Sequence, residues 1–135
     1  MPRATALAMS GGVLLVDDDP SLRRLLSLVL RRVGIESDAA GDAHEAIRKL
    51  EQTQYSLVLL DLQLGETSGH DVLKWLRTHD HPAGVIITTG QEDQLGLASP
   101  SIRCVVKKPY DLKMVTSLIA SHLPVTMPVL GETRR

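Results

Sequence analysis

Asp17, Asp18 and Asp19 stand in a row directly after the apolar run Val13–Val16, and Asp61 stands directly after Leu57–Leu60. Acids that meet at one place are costly, since two unit charges 4 Å apart repel by about 4 kcal/mol at an effective dielectric near 20. Protonation relieves that cost, and so does a hard divalent cation. Ligands that are all oxygen favour magnesium or calcium, and a site with few protein ligands and open to water favours magnesium, which commonly binds together with phosphate. Two further apolar runs also end in chemistry. Val85–Ile87 leads into Thr88-Thr89-Gly90, and Cys104–Val106 into Lys107-Lys108-Pro109. A hydroxyl from the first pair donates to one phosphoryl oxygen, an ammonium from the second neutralises another, and the metal holds a third. Asp61 then has the makings of a carboxylate nucleophile that accepts a phosphoryl group as a mixed anhydride. Asp19, before Pro20, is sufficiently explained as a helix cap.

For these groups to meet, the runs that precede them must lie side by side. Short apolar runs bounded by polar residues fit strands buried on both faces, and open α/β sheets bind ligands at the carboxyl ends of such strands. Between the strands the spacing is helical. From Pro20 onward, Leu22, Leu25, Leu26, Val29, Leu30 and Val33 recur on one face, with Arg23, Arg24, Arg31 and Arg32 opposite and Gly34 as the stop. Ile35 to Ala40 is a weaker edge strand. Gly41-Asp42 opens a second helix whose Glu45 completes a capping box, with Ala43, Ala46, Ile47 and Leu50 toward the core. Ser68 caps a third that presents Val72, Leu73, Leu76 and Trp75. Gln91 to Ser99 is a short fourth helix limited by Gly96 and Pro100, and Asp111 caps a last one through Leu112, Val115, Leu118, Ile119 and Leu123. Strand–helix alternation repeated five times predicts a single doubly wound α/β domain, a five-stranded parallel sheet with helices on both faces. Residues 1–12 read as a flexible leader, 13–123 as the domain and 124–135, with Pro124, Pro128 and Gly131, as a tail.

Composition narrows the class. The 135 residues carry a net charge of −1 and 2% aromatics, so neither electrostatic capture of nucleic acid nor a base-stacking platform is expected. Cys104 is the only cysteine, which excludes an internal disulfide and a cysteine zinc site; it reads as a small core residue. The five histidines, His44, His70, His79, His81 and His122, are scattered without metal spacing. The apolar stretch near Met1 is too short for a signal peptide or a membrane span. The cytoplasm is the expected compartment, with no membrane partner.

Four motifs in this order and spacing resemble the receiver domain of bacterial two-component response regulators: Leu-Leu-Val-Asp17-Asp18-Asp-Pro, Leu-Val-Leu-Leu-Asp61, Ile-Ile-Thr-Thr89-Gly and Val-Lys-Lys108-Pro109. The resemblance runs from Val13 to Leu123. It implies a flavodoxin-like receiver fold with strand order 2-1-3-4-5, an order for which a member of this family is a standing example. It implies that Asp17 and Asp18 hold Mg2+ with Asp61 and the backbone carbonyl of Gln63. It implies that Asp61 takes a phosphoryl group from a histidine kinase or phosphotransfer protein, that Thr89 and Lys108 bind that group, and that the Lys108–Pro109 bond is cis. The match also selects Lys108, next to the proline, over Lys107, and Thr89, next to a glycine, over Thr88. Three positions depart from the family pattern: Val105 stands where an aromatic is usual, the segment from Thr89 to Lys108 is short, and Gly65 replaces a frequent proline. The resemblance gives that aromatic a switching role, which Val105, small and stiff at its first torsion, does not take over.

An enzyme is the rival. Asp17-x-Asp19-x-Ser21 also resembles the first motif of haloacid-dehalogenase-type phosphatases, with Asp17 as nucleophile, but Pro20 leaves no room for that family's flap and Asp61 goes unused. A signalling domain that is not an enzyme beyond self-catalysed phosphorylation and dephosphorylation is therefore expected. Met1 and the lack of a DNA-binding helix pair favour a stand-alone regulator that signals to a downstream protein without touching nucleic acid. A receiver segment of a hybrid kinase or larger regulator is the alternative.

Overall fold

A computed structural model describes residues 12–90 and 100–123. The expected leader before Gly12, the short helix over 91–99 and the tail beyond 123 lie outside the described residues. In chain order the elements are β1 (Val13–Val16), α1 (Pro20–Arg32), β2 (Ser37–Ala40), α2 (Ala43–Gln52), β3 (Leu57–Asp61), β4 (Gln63–Leu64), β5 (Thr67–Ser68), α3 (Gly69–Thr78), β6 (Gly84–Thr89), β7 (Ile102–Lys107) and α4 (Leu112–His122). The strands of the main sheet are parallel in the order β2-β1-β3-β6-β7. That is the expected 2-1-3-4-5 once the two-residue strands β4 and β5, a separate antiparallel hairpin, are set aside.

Alternation along the strands separates two cores. Leu14, Val16, Val58, Leu60, Val85 and Ile87 point to one face and pack with Ala43, Ala46 and Leu50 of α2 and Val72, Leu73 and Leu76 of α3. Val13, Leu15, Leu57, Leu59 and Ile86 point to the other, against Leu26 and Leu30 of α1 and Val115 and Ile119 of α4. Both faces are covered, so β1 and the Leu57–Leu60 stretch of β3 are apolar throughout instead of alternating with polar residues.

Local chemistry sets the ends. Asp19 accepts hydrogen bonds from the N–H of Ser21 and Leu22 at the start of α1. At its other end Gly34, with φ of +84°, and Ile35 return their N–H groups to Arg31 and Leu30, closing the helix in a Schellman turn. Ile35 is thereby spent on that turn, and the second strand begins at Ser37, two residues later than the sequence pattern indicates. Asp42 caps α2 as expected, and Glu45 reaches back to the N–H of Gly41, one residue before the cap. The apolar face of α1 is narrower than its periodicity suggests. Leu26 and Leu30 are buried, but Leu25 is 44% exposed and Val33 57% exposed, because the helix meets the sheet along one stripe only. Trp75 lies half-buried against the first core with its ring stacked on His79.

Candidate functional site

The parallel register carries four strand ends to one edge. Val16 pairs with Leu60, Asp61 with Thr88, and Thr89 with Lys107, so Asp17, Asp61, Thr89 and Lys108 follow or close adjoining strands. Asp17 and Asp61 are buried at 4% and 3% exposure, while Asp18 is exposed. Lys108 Nζ donates to Asp17 Oδ2 at 2.8 Å and to Asp61 Oδ2 at 2.8 Å, so one ammonium bridges two buried carboxylates. The remaining oxygens are held by the main chain. Asp19 N–H donates to Asp17 Oδ1 at 2.9 Å and Gln63 N–H to Asp61 Oδ1 at 2.9 Å. The Lys108–Pro109 bond is cis, as the resemblance implies. Lys108 N–H is anchored on the carbonyl of Thr89 at 2.8 Å, which ties the turn to the end of β6.

Charge is finely balanced here. Burial pushes the Asp61 carboxyl above the ordinary carboxylate value, opposed by the Lys108 ammonium and the Gln63 N–H and reinforced by the charge of Asp17. Burial works against the charge of Lys108, but its bonds to Asp17 and Asp61 outweigh this and hold the ammonium above its usual range. Tyr110 is pushed up to about 12 by burial and by the charge of Asp17, with Asp61 and Asp19 adding to this and Lys108 opposing it.

Asp17, Asp18 and Asp61 each offer an oxygen within 4.8 Å of the others, the one such cluster among the described residues. An all-oxygen donor set with one exposed member suits a hard cation that keeps water ligands, so the residues fit Mg2+. Gln63 opens β4 two residues beyond Asp61, and Gly65 in the following turn has φ of +63°, a conformation that proline cannot adopt. A Cβ at Gly65 would lie 3.7 Å from Asp18 Oδ2, which places this turn beside the exposed acid.

Sequence reasoning missed three contributors. Arg23, which the periodicity places opposite the apolar face of α1, is half-buried, and its Nη1 donates to the carbonyl of Asp17 at 2.6 Å. The signal lies in helix geometry: side chains lean toward the N-terminus, so a long one in the first turns of α1 reaches back over the strand end. Gly69, at the start of α3, has no space for a side chain, since a Cβ there would collide with the carbonyl oxygen of Asp61. Tyr110 buries a hydroxyl that has no hydrogen-bond partner among the described residues. Its ring borders an open cleft of about 420 Å3 lined also by Asp19, Leu22, Lys108 and Pro109.

Fold and pocket together define a doubly wound domain with a cation-ready acidic edge. Residues 13–120 match the family model described as the response regulator receiver domain, and the chain belongs to that family. The chain is 35% identical over 130 residues to the DNA-binding response regulator MtrA of Mycolicibacterium smegmatis, which covers 89% of this chain and 56% of that protein. It thus spans about half the length of the curated relatives it matches. Among solved structures it is similar to the response regulator TrrA of Thermotoga maritima in complex with Mg2+-BeF, with a TM-score of 0.72 and 29% identity over 82% of this chain and 97% of that one. It is likewise similar to TrrA in its crystal structure with the histidine kinase ThkA, with a TM-score of 0.71 and 28% identity over 83% and 97% of the two chains. The phosphatase reading finds no support: α1 begins at Pro20 with no room for a flap, and Asp61 lies at the centre of the site.

Proposed function

We propose that Asp61 is the phosphoacceptor of this receiver domain, that Asp17, Asp18, Asp61 and the carbonyl of Gln63 bind Mg2+, and that Thr89 and Lys108 hold the transferred group. The observation that carries this reading is the Lys108 ammonium shared at 2.8 Å between Asp17 and Asp61, with Asp18 close by. A Lys108 bond that favours the ionised form of Asp61 keeps a nucleophile available despite its burial. The Asp61 carboxylate attacks phosphorus, the bond from phosphorus to the donor's nitrogen breaks, and the imidazole leaves with that electron pair. Lys108 then follows the charge from the carboxylate onto a phosphoryl oxygen, and Thr89 donates to another. Mg2+ held by Asp17, Asp18, Asp61 and the carbonyl of Gln63 would supply charge neutralisation for the phosphoryl group.

The donor we propose is a histidine kinase or a phosphotransfer protein. Its docking face includes α1, where exposed Leu25 and Leu28 stand among exposed arginines beside the acidic edge. TrrA's crystallisation with a histidine kinase supports a partner of that class. Signalling from the cytoplasm to a downstream protein, without direct contact to nucleic acid or membrane, is our reading of the domain. No described helix is long and apolar enough to cross a membrane. A receiver segment of a DNA-binding regulator is the reading that the greater length of the MtrA relatives favours. The test is incubation with a small phosphodonor and Mg2+, followed by intact mass. One base-labile phosphoryl group is expected, absent with chelator and absent in Asp61→Ala. Undiminished labelling of Asp61→Ala overturns the assignment.

A further inference from the structure

Asp17 follows β1 directly, with its N–H on the carbonyl of Ala40 in β2 at 3.1 Å. In a parallel pair the carbonyl of that residue points toward the same neighbour. There β2 has already ended at Ala40, and the chain turns away through Gly41 into the cap of α2. The carbonyl of Asp17 would be an orphan, and Arg23 Nη1 satisfies it at 2.6 Å. This bond is charge-assisted and short. It acts on the peptide that joins the two acids, whose carbonyl belongs to Asp17 and whose nitrogen belongs to Asp18. The side chain of Asp17 is fixed twice over, by Asp19 N–H and by Lys108, but no described bond fixes that of exposed Asp18. The direction of Asp18 therefore depends on the peptide plane before it.

Gly41 belongs to the same arrangement. A Cβ at Gly41 would sit 3.0 Å from Arg23 Nη1 and 3.5 Å from its Cζ, so the guanidinium occupies the space that a side chain at 41 would need. The φ of Gly41 lies outside the left-handed region, so backbone conformation alone does not call for glycine there.

We propose that Arg23 is a positioning residue for the metal-binding acids: seated over Gly41 and bonded to the carbonyl of Asp17, it orients Asp18 and so raises the affinity of the site for Mg2+. The inference rests on the magnesium reading above. Its sign is diagnostic. A cation near the pocket repels Mg2+, so charge alone predicts tighter binding when Arg23 is removed, whereas positioning predicts weaker binding.

The experiment is calorimetric titration of MgCl2 into the full chain, as wild type, Arg23→Ala, Arg23→Lys, Gly41→Val and the double variant, with circular dichroism confirming the fold of each. Arg23→Ala is expected to weaken Mg2+ binding by about tenfold, the lower end of what outer-shell partners contribute. Arg23→Lys, with a charge but no planar fork, recovers part of the loss. Gly41→Val displaces the guanidinium from the other side, weakens binding in the same direction, and adds nothing further once Arg23 is alanine. Should Arg23→Ala fail to fold, Gly41→Val alone decides by the same criterion. Unchanged or tighter binding in Arg23→Ala overturns the proposal, as does a Gly41→Val effect that adds fully to that of Arg23→Ala. A purely structural Arg23 would lower the melting temperature and leave Mg2+ affinity intact, which also overturns it. Wild type that binds no Mg2+ overturns the site reading itself, and this inference with it.

Discussion

Strands β3 and β7 each deliver one half of the same ion pair, yet they are built in opposite ways. β3 lies at the centre of the sheet and is buried from Leu57 to Asp61. β7 lies at an edge, alternates exposed residues with half-buried ones and the buried Val106, and leaves Val105 41% exposed. An acid at the end of the central strand loses its water and is pushed toward the protonated form. A lysine following the edge strand keeps part of its hydration and reaches inward along an aliphatic stem. The pocket thus joins a desolvated carboxylate on a central strand to a more accessible cation on an edge strand.

The largest expected effect separates the two strands outright. Leu60→Ala should cost about 3 kcal/mol in urea unfolding, since Leu60 is fully buried, whereas Val105→Ala should stay within about 0.5 kcal/mol. Equal losses would remove the contrast. Next is the ion pair. Lys108→Met leaves two buried carboxylates facing each other and should cost on the order of 2 kcal/mol in chelator, less than for a fully buried pair because Lys108 is partly exposed. Added Mg2+ should stabilise this variant more than wild type, and equal stabilisation would show that the lysine and the cation do not share the same charge.

A smaller effect follows from the raised pKa of Asp61. A carboxyl that binds its proton more tightly when folded stabilises the fold below the ordinary carboxylate value, and that contribution is lost as pH rises through the folded value. In chelator, Asp61→Asn should therefore melt above wild type at neutral pH, with the gap closing on acidification through that range. A gap that widens toward acid would reverse the assignment of burial as the dominant cause. Smallest of all is the response at β7. With a beryllofluoride phosphate mimic and Mg2+, sedimentation should show no dimer held through exposed Val105. A dimer abolished by Val105→Glu would contradict this.

Much of this was legible beforehand because apolar runs and abrupt polar ends are local signals. Val13–Asp17 and Leu57–Asp61 announce buried parallel strands, and parallel strands bring their ends together without further information. Asp19, Asp42, Ser68 and Asp111 all cap the helices that their types suggest. What escaped depends on three-dimensional reach. Arg23 looks solvated on a helical wheel, and only the direction of its side chain over the end of β1 reveals its bond. Gly69 reads as an ordinary helix start until the backbone of Asp61 is seen against it. Ile35 is apolar enough for a strand but completes the turn after α1.

The central claim, that Asp61 alone among the clustered acids receives the phosphoryl group, is tested most directly by trapping the acyl phosphate with borohydride and mapping the resulting homoserine by peptide sequencing. Homoserine at position 61, dependent on Mg2+ and present at neither 17 nor 18, is the predicted result. Homoserine at position 17 with Asp61 unmodified would contradict the account and restore the phosphatase chemistry that the sequence motif around Asp17 suggests.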